Sequence, residues 1–275
     1  MAFLRLFLTF VLCTSTVPVV FSQDALPWAV EFCKKFTGAV TAKDSTASGI
    51  YVSQGTGAFL KHNNLGFFLT NEHVIALKDT NNKTIRYLKD ISVSLNVKSL
   101  GAINCQGNIL YANETMDLAM LQVRCPSSIM DSMEVSLLSS QLWWGADSLK
   151  EGQTIIYTGY PLNLGRGHFN HPLSRTGIIA QLIPGNRTFL IDAFVQKGYS
   201  GSPVFVLEKK SLLKTRIRFV GIASAYPGRF TPLLKKVKYS AIQNFGINEN
   251  PGFAYVIGVE TVFKFIEASK LVTRN

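Results

Sequence analysis

The chain has 275 residues, with 28 Lys and Arg against 17 Asp and Glu, a formal net charge of +11, 47% apolar and 16% charged residues. This composition suits a folded core and excludes wholesale disorder, while the lack of a glycine period or heptad run excludes collagen and long coiled coils. Four cysteines without a Cys-x-x-Cys pair exclude a disulfide-dense miniature scaffold and argue against zinc ribbons and thioredoxin-like redox chemistry.

Met1 to Ser22 carries one charge, Arg5, then apolar blocks at Leu6–Leu12 and Val17–Phe21, with small Val20 and Ser22 before Gln23. This predicts a secretory signal peptide over 1–22. The competing reading, a retained membrane anchor, is weakened by Thr14, Ser15, Thr16 and Pro18, which interrupt the stretch. Removal of the leader takes Cys13 with it and leaves Cys33, Cys105 and Cys125, so at least one thiol is unpaired within the chain. Cys105 and Cys125 are equidistant from Thr115 in the polar stretch Asn113-Glu114-Thr115. If that stretch turns a hairpin, the sulfurs face each other and an oxidising compartment favours a disulfide; the alternative is two buried thiols. Asn82, Asn113 and Asn186 begin glycosylation sequons, used only if the host glycosylates.

Asp24 as a cap and Trp28, Phe32 and Phe36 at i, i+4 spacing predict a helix over 24–37. Short β-branched and aromatic runs follow between Gly, Asn and Ser clusters: Gly49–Ser53, Gly57–Leu60, Gly66–Leu69, Ile91–Leu95, Ile109–Tyr111, Leu118–Val123, Thr154–Thr158, Thr176–Leu182, Phe189–Ile191, Val204–Leu207, Ile217–Ala223 and Phe253–Ile257. Many short strands with turn signals predict an all-β barrel or sandwich. The stretch 126–153, with Trp143-Trp144-Gly145, reads as a connector between two β units, and Glu260 to Val272 as an amphipathic helix with Val262, Phe263 and Ile266 on one face. The expected division is leader 1–22, N-terminal helix and first β unit 23–140, connector and second β unit 141–258, and C-terminal helix 259–275.

The chemistry concentrates around Ser200, in Lys197-Gly198-Tyr199-Ser200-Gly201-Ser202-Pro203 ahead of Val204-Phe205-Val206. Glycines flanking a serine permit a tight turn that aims several N–H groups at one point, as an oxyanion requires. The N–H groups of Gly198 and Ser200 are the candidate donors. A serine hydroxyl needs a base. His73 ends the apolar strand Gly66–Leu69, whereas His62 sits in the polar turn Lys61-His62-Asn63-Asn64 and reads as solvated. His168 and His171 have HxxH spacing, but the sequence advertises no further ligand, so no metal or other cofactor is expected. Asp117 opens Leu118–Val123 and is the candidate orienting acid. All four histidines precede Ser200, which rejects the Ser-acid-His order of α/β-hydrolases. An Asp44-His73-Ser200 order would need a parallel sheet that the strand pattern does not support. His73, Asp117, Ser200 is the chymotrypsin order.

Gly55–Leu60 through Thr70–Val74, then Met116–Leu121, then Gly198–Val204 resemble the trypsin-like serine peptidases, most closely the HtrA/Deg-type branch; Gly159-Tyr160-Pro161 and Ile191-Asp192-Ala193 agree. The resemblance spans about residues 45 to 260. It implies two antiparallel six-stranded β-barrels with the site between them, His73, Asp117 and Ser200 as catalytic triad, Gly198 and Ser200 as oxyanion hole, and Phe194, Ser224 and Ala225 at the substrate pocket. Tyr199 stands where digestive relatives carry an Asp that pairs with a new N-terminus, so that activation route is absent. About Val259 to Asn275 remain after the last strand, too few for the PDZ domain usual in HtrA chains. Phe194 in place of an Asp argues against Lys or Arg at the cleavage site and favours a small or medium apolar residue. The expected activity is that of a secreted serine endopeptidase on protein or peptide substrates.

Between Val206 and Ser240, nine basic residues (Lys209, Lys210, Lys214, Arg216, Arg218, Arg229, Lys235, Lys236, Lys238) face one acid, Glu208, a local +8. A solvated face is the favoured reading; weak contact with polyanions is the alternative. The second functional reading is an inactive peptidase-fold binding protein that recognises acidic or polyanionic partners.

Overall fold

A computed structural model describes residues 17–46, 49–97, 101–126, 143, 145–161, 171–183, 185, 188–211, 214–224, 229–232, 246–249 and 252–270. Helix α1 (Val17–Lys34) leads into β1 (Thr37–Thr46), β2 (Gly49–His62) and β3 (Leu65–Thr70). A one-turn helix α2 (Glu72–Ile75) and the hairpin β4 (Ala76–Lys78) and β5 (Thr84–Tyr87) precede β6 (Asp90–Val97), β7 (Gly101–Asn113) and β8 (Leu118–Arg124). The second half contains β9 (Thr154–Gly159), β10 (Leu173–Gln181), β11 (Thr188–Asp192), β12 (Pro203–Ser211), β13 (Lys214–Ala223), a small pair β14 (Arg229–Pro232) and β15 (Gly246–Glu249), β16 (Phe253–Gly258) and the closing helix α3 (Val259–Ala268).

The strands form two closed barrels, β1-β2-β3-β8-β7-β6 and β10-β11-β16-β13-β12-β9. Every barrel pairing is antiparallel, and both barrels have the same connectivity: the first three strands run in order, and the last three return in reverse to close on the first. The two six-stranded barrels expected from the sequence resemblance are present.

Period-2 alternation explains the apolar runs. In β3, Phe68 points into the first barrel while Phe67 and Leu69 point to the layer between barrels; in β8, Ala119, Leu121 and Val123 oppose Leu118 and Met120. In β12, Val204 and Val206 fill the second barrel and Phe205 joins the intervening layer. Strands buried on both faces lose the polar half of the alternation, which is why these segments read as continuous apolar sequence. The helices cover the same layer: Ala29, Cys33 and Phe36 of the N-terminal region and Val262, Phe265 and Ile266 of α3 are buried in it.

Several boundaries differ from expectation. The N-terminal helix begins at Val17, inside the expected leader, and ends at Lys34; β-branched Thr37 starts a strand, its Oγ1 donating to the Cys33 carbonyl at 3.2 Å. Ala29 and Cys33 are buried beside Phe36, with Phe32 packed against the same core, while Trp28 of the expected aromatic stripe is exposed; the small side chains let the helix approach the barrel. No propensity signal marks β1 in the sequence, and its residues inside the first barrel are the small Val40 and Ala42. Gly49–Ser53 and Gly57–Leu60 are one strand, and the hairpin after it turns on Asn63 and Asn64, both at positive φ (48° and 59°), the backbone that Asn tolerates best. Helix α3 stops at Ala268, with Lys270 at φ 59°. Most of the expected connector lies outside the described residues; Trp143 within it packs on Phe219 and Phe263. Among the described residues no helix is long and apolar enough to cross a membrane.

The β7–β8 hairpin brings Cys105 and Cys125 to bonding distance, with Cα atoms 5.0 Å apart. Its turn pairs Asn113 with Leu118, a register that by itself would set Cys105 opposite the residue after Cys125; an irregularity between Ile109 and Tyr111 shifts the ladder by one and aligns the two cysteines. Cys33 is buried and free, and burial pushes its thiol far up, so it is an inert core residue.

Candidate active site

His73 and Asp117 are brought together by strand register. Thr70 pairs with Ala119, so the exit of β3 and the entry of β8 lie at one end of the first barrel. The helical turn α2 carries His73 from the first, and the β7–β8 turn carries Asp117 from the second. His73 Nδ1–H donates to Asp117 Oδ1 at 2.9 Å and faces Oδ2 at 3.0 Å, and the His73 backbone N–H donates to Oδ1 at 3.1 Å. Asp117 sits at φ 51°, fixed by its own N–H to the Glu114 carbonyl and by Asn71 Nδ2 donating to the Asp117 carbonyl at 2.9 Å. Burial pushes the carboxyl up, but the His73 hydrogen bond and charge, the Ser224 hydroxyl and the His73 N–H outweigh it and hold Asp117 below the usual carboxylate range.

Ser224, at the end of β13, links the acid to the nucleophile. Its Oγ donates to Asp117 Oδ2 at 2.6 Å, and its carbonyl accepts from Ser200 Oγ at 3.0 Å. Ser200 therefore lies one residue away from Asp117 through Ser224, and in this conformation its hydroxyl bonds to that carbonyl rather than to His73. Sequence reasoning placed Ser224 at the substrate pocket and missed its contact with the acid; a lone serine after an apolar strand carries no such signal.

The Ser200 loop is bolted to the first barrel through Thr56, which is fully buried in β2. Thr56 N–H donates to the Ser200 carbonyl at 2.8 Å, and Thr56 Oγ1 donates to the Gly198 carbonyl at 2.7 Å while accepting from the Tyr160 N–H at 2.9 Å. Thr70 Oγ1 completes the set by donating to the Thr56 carbonyl at 2.6 Å. Gly201 is at φ 90°, and a Cβ there would stand 1.9 Å from the Thr56 carbonyl oxygen, so only glycine allows this approach. Gly198, at φ 100°, and Ser200 have their carbonyls turned to Thr56; among the described residues neither N–H donates to a backbone carbonyl. Two amides left open beside a serine are what an oxyanion-binding turn presents.

The remaining candidates fall elsewhere. Phe194 is exposed and lines a cavity with Arg175 and Tyr157. His62 is half-buried, its Nε2 in contact with Asn63 Nδ2. His171 is exposed and meets Asn96, and no metal-binding group occurs among the described residues. Asn82 is exposed at the β4–β5 turn, and Asn113 Oδ1 accepts from the Met116 N–H. Ala225, His168, Asn186 and Lys235, Lys236 and Lys238 of the basic stretch lie outside the described residues. Within that stretch Arg218 pairs with Glu208 at 3.1 Å across the β12–β13 hairpin.

Comparisons with known proteins follow this geometry. A trypsin-like peptidase domain matches residues 47–213. An uncharacterised protein, y4bJ, of Sinorhizobium fredii (strain NBRC 101917 / NGR234), is 28% identical over 183 residues; the match takes in 64% of this chain and 24% of that protein, so the chain spans about a quarter of that relative. Among solved structures, the HtrA-type protease AlgW with tripeptide aligns with a TM-score of 0.55 at 16% identity, over 87% of this chain and 62% of that one. A serine endoprotease from Yersinia pestis aligns with a TM-score of 0.52 at 16% identity, over 88% of this chain and 65% of that one. At such identities the structures speak for the fold alone, two closed six-stranded barrels, while the domain match covers more than half of the sequence: the chain belongs to the trypsin-like peptidase family.

Proposed function

We propose that this protein is a secreted serine endopeptidase that cleaves peptide bonds through an acyl-enzyme. The observation that carries this reading is the set of contacts from His73 to Asp117, Asp117 to Ser224 and Ser224 to Ser200, beside the open amides of Gly198 and Ser200. Rotation of the Ser200 side chain away from the Ser224 carbonyl turns its hydroxyl toward His73. Ser200 Oγ then attacks the scissile carbonyl, His73 takes the proton and returns one to the leaving amine, and Asp117 holds the imidazole tautomer and stabilises the imidazolium. The Gly198 and Ser200 N–H groups receive the oxyanion, each such donor worth about 3–4 kcal/mol in the barrier. The leader supports secretion, and an oxidising compartment would keep Cys105 and Cys125 paired.

A fluorophosphonate probe tests the reading. The mature protein takes up the label at Ser200 and cleaves a peptide library, and Ser200→Ala does neither. A folded wild-type protein that resists the probe and leaves the library intact overturns it.

A further inference from the structure

The residue before His73 is a carboxylate taken out of water. Glu72 opens α2, a single helical turn, and neighbouring residues of a helix point about 100° apart, so Glu72 turns into the protein while His73 stays half-buried at the site. The Glu72 side chain is fully buried. Its Oε1 accepts from Thr84 Oγ1 of β5 at 2.6 Å, and its Oε2 lies 2.7 Å from Lys78 Nζ of β4. Burial, then the charges of Glu72 and Glu114, push the Tyr87 phenol up, which sets a third residue of the β4–β5 hairpin against the same group. The hairpin grips the carrier of the acid as well. Thr84 N–H donates to Glu114 Oε1 at 2.8 Å, Lys78 Nζ lies 3.9 Å from the same oxygen, and the Glu114 carbonyl accepts from the Asp117 N–H at 3.1 Å. One lysine and one threonine thus join the turn that carries His73 to the turn that carries Asp117.

A buried carboxylate paired with an ammonium is a poor source of stability, since apolar side chains of similar size often do as well. Direction is what such a pair supplies. A one-turn helix has little stability of its own, and Asn71 gives α2 no side-chain cap. Burial of Val74 and Ile75 holds the turn against the core without fixing its rotation, because apolar burial is non-directional. The Thr84 hydroxyl and the Lys78 ammonium do fix it, through contacts that weaken steeply when misaligned. We propose that Glu72, held by Lys78 and Thr84, is a positioning residue for the His73–Asp117 pair. It sets the rotation of α2, and with it the line from the His73 ring to the Asp117 carboxylate. Its effect on rate rests on the peptidase reading; its effect on the imidazole–carboxylate hydrogen bond does not.

The test compares the mature wild-type protein with Glu72→Leu/Lys78→Met, which replaces the ion pair by apolar side chains, and with Glu72→Gln, which keeps the size and an acceptor for Thr84. Melting curves establish that each protein is folded. The first readout is the proton resonance of His73 Nδ1–H in protein carrying nitrogen-labelled histidine, which reports the 2.9 Å hydrogen bond to Asp117 whether or not the protein cleaves anything. The second is kcat and KM on a peptide substrate. In the double variant the resonance should broaden or vanish, and kcat should fall by at least about tenfold with KM within about threefold of wild type, since a displacement of about 1 Å costs some 10²-fold. Glu72→Gln should fall between the two. A folded double variant with the wild-type resonance and kcat within about twofold of wild type overturns the proposal. So does a change confined to KM or to the melting temperature, which leaves Glu72 a structural role alone, and so does a wild-type protein without the resonance. Should the double variant not fold, the same criteria applied to Glu72→Gln decide. A wild-type protein that shows the resonance but cleaves no peptide sinks the peptidase reading, and the resonance in the variants then decides the positioning by itself.

Discussion

Thr56→Val replaces a hydroxyl with a methyl of nearly the same size at a fully buried position. The backbone hydrogen bonds of Thr56 to Ser200 and from Thr70 survive, but the Gly198 carbonyl loses its donor and the Tyr160 N–H its acceptor. A hydrogen bond lost at each of these two buried groups costs about 1–3 kcal/mol, so the variant should lose roughly 2–6 kcal/mol if the loop stays in place. At about 2–4 °C per kcal/mol for a chain of this size, the melting temperature should fall by at least about 4 °C. A loop that shifts to recover these bonds moves the Gly198 amide instead, and then kcat falls, tenfold for each ~1.4 kcal/mol of lost transition-state binding, with KM changing less. Thr56→Ser keeps the hydroxyl and should restore most of both. Differential scanning calorimetry and peptide-substrate kinetics on the three proteins decide the matter. A Thr56→Val protein within about 1 °C and twofold of wild type in both measurements would show that this hydroxyl does not hold the loop.

Gly201→Ala forces a Cβ against the Thr56 carbonyl in a left-handed backbone and should cost about 3 kcal/mol or more, seen as a lowered urea midpoint. Asp117→Asn presents an amide N–H to the His73 ring and favours the wrong tautomer; kcat should drop by about 10⁴-fold, as in other serine-peptidase triads, with folding retained. The same variant has a pH signature. The folded carboxyl of Asp117 titrates below its unfolded value of about 3.9, so its stabilisation is complete above that pH and is lost as pH falls through the lower folded value. The urea midpoints of wild type and Asp117→Asn should therefore converge below about pH 4; a gap that persists in acid argues against the ionised pairing. Ser224→Ala removes one of the donors that hold Asp117 ionised and should lower kcat by about tenfold while leaving KM near wild type.

The apolar runs made the all-β architecture legible, because two-face burial leaves a strong mark in sequence, and the order His73, Asp117, Ser200 marked three candidate site residues. What stayed hidden depends on long-range contact. Strand β1 uses small residues that fit between bulky neighbours and so carries little propensity signal. Thr56 is an unremarkable strand threonine until the second barrel places a carbonyl and an amide on either side of it. In the N-terminal region the i, i+4 spacing pointed to Phe32 and Phe36, which do pack on the core, but not to Ala29 and Cys33, whose small size brings the helix close while Trp28 stays exposed. The pairing of Cys105 with Cys125 follows from a one-residue irregularity that symmetry about Thr115 does not reveal.

His73 and Asp117 ride on one barrel and Ser200 on the other, so under the proposed mechanism the layer of Leu60, Leu69, Met120, Phe205 and Phe219 between them sets the alignment of the site. A sideways slip of about 1 Å is enough to cost a reaction some 10²-fold. Truncating Phe205, buried in that layer, should therefore imitate damage at the site: the hollow it leaves lets the halves settle toward each other and misaligns a hydroxyl and an imidazole that the change never touched. Evolution of such a chain can tune its rate from the middle of the molecule.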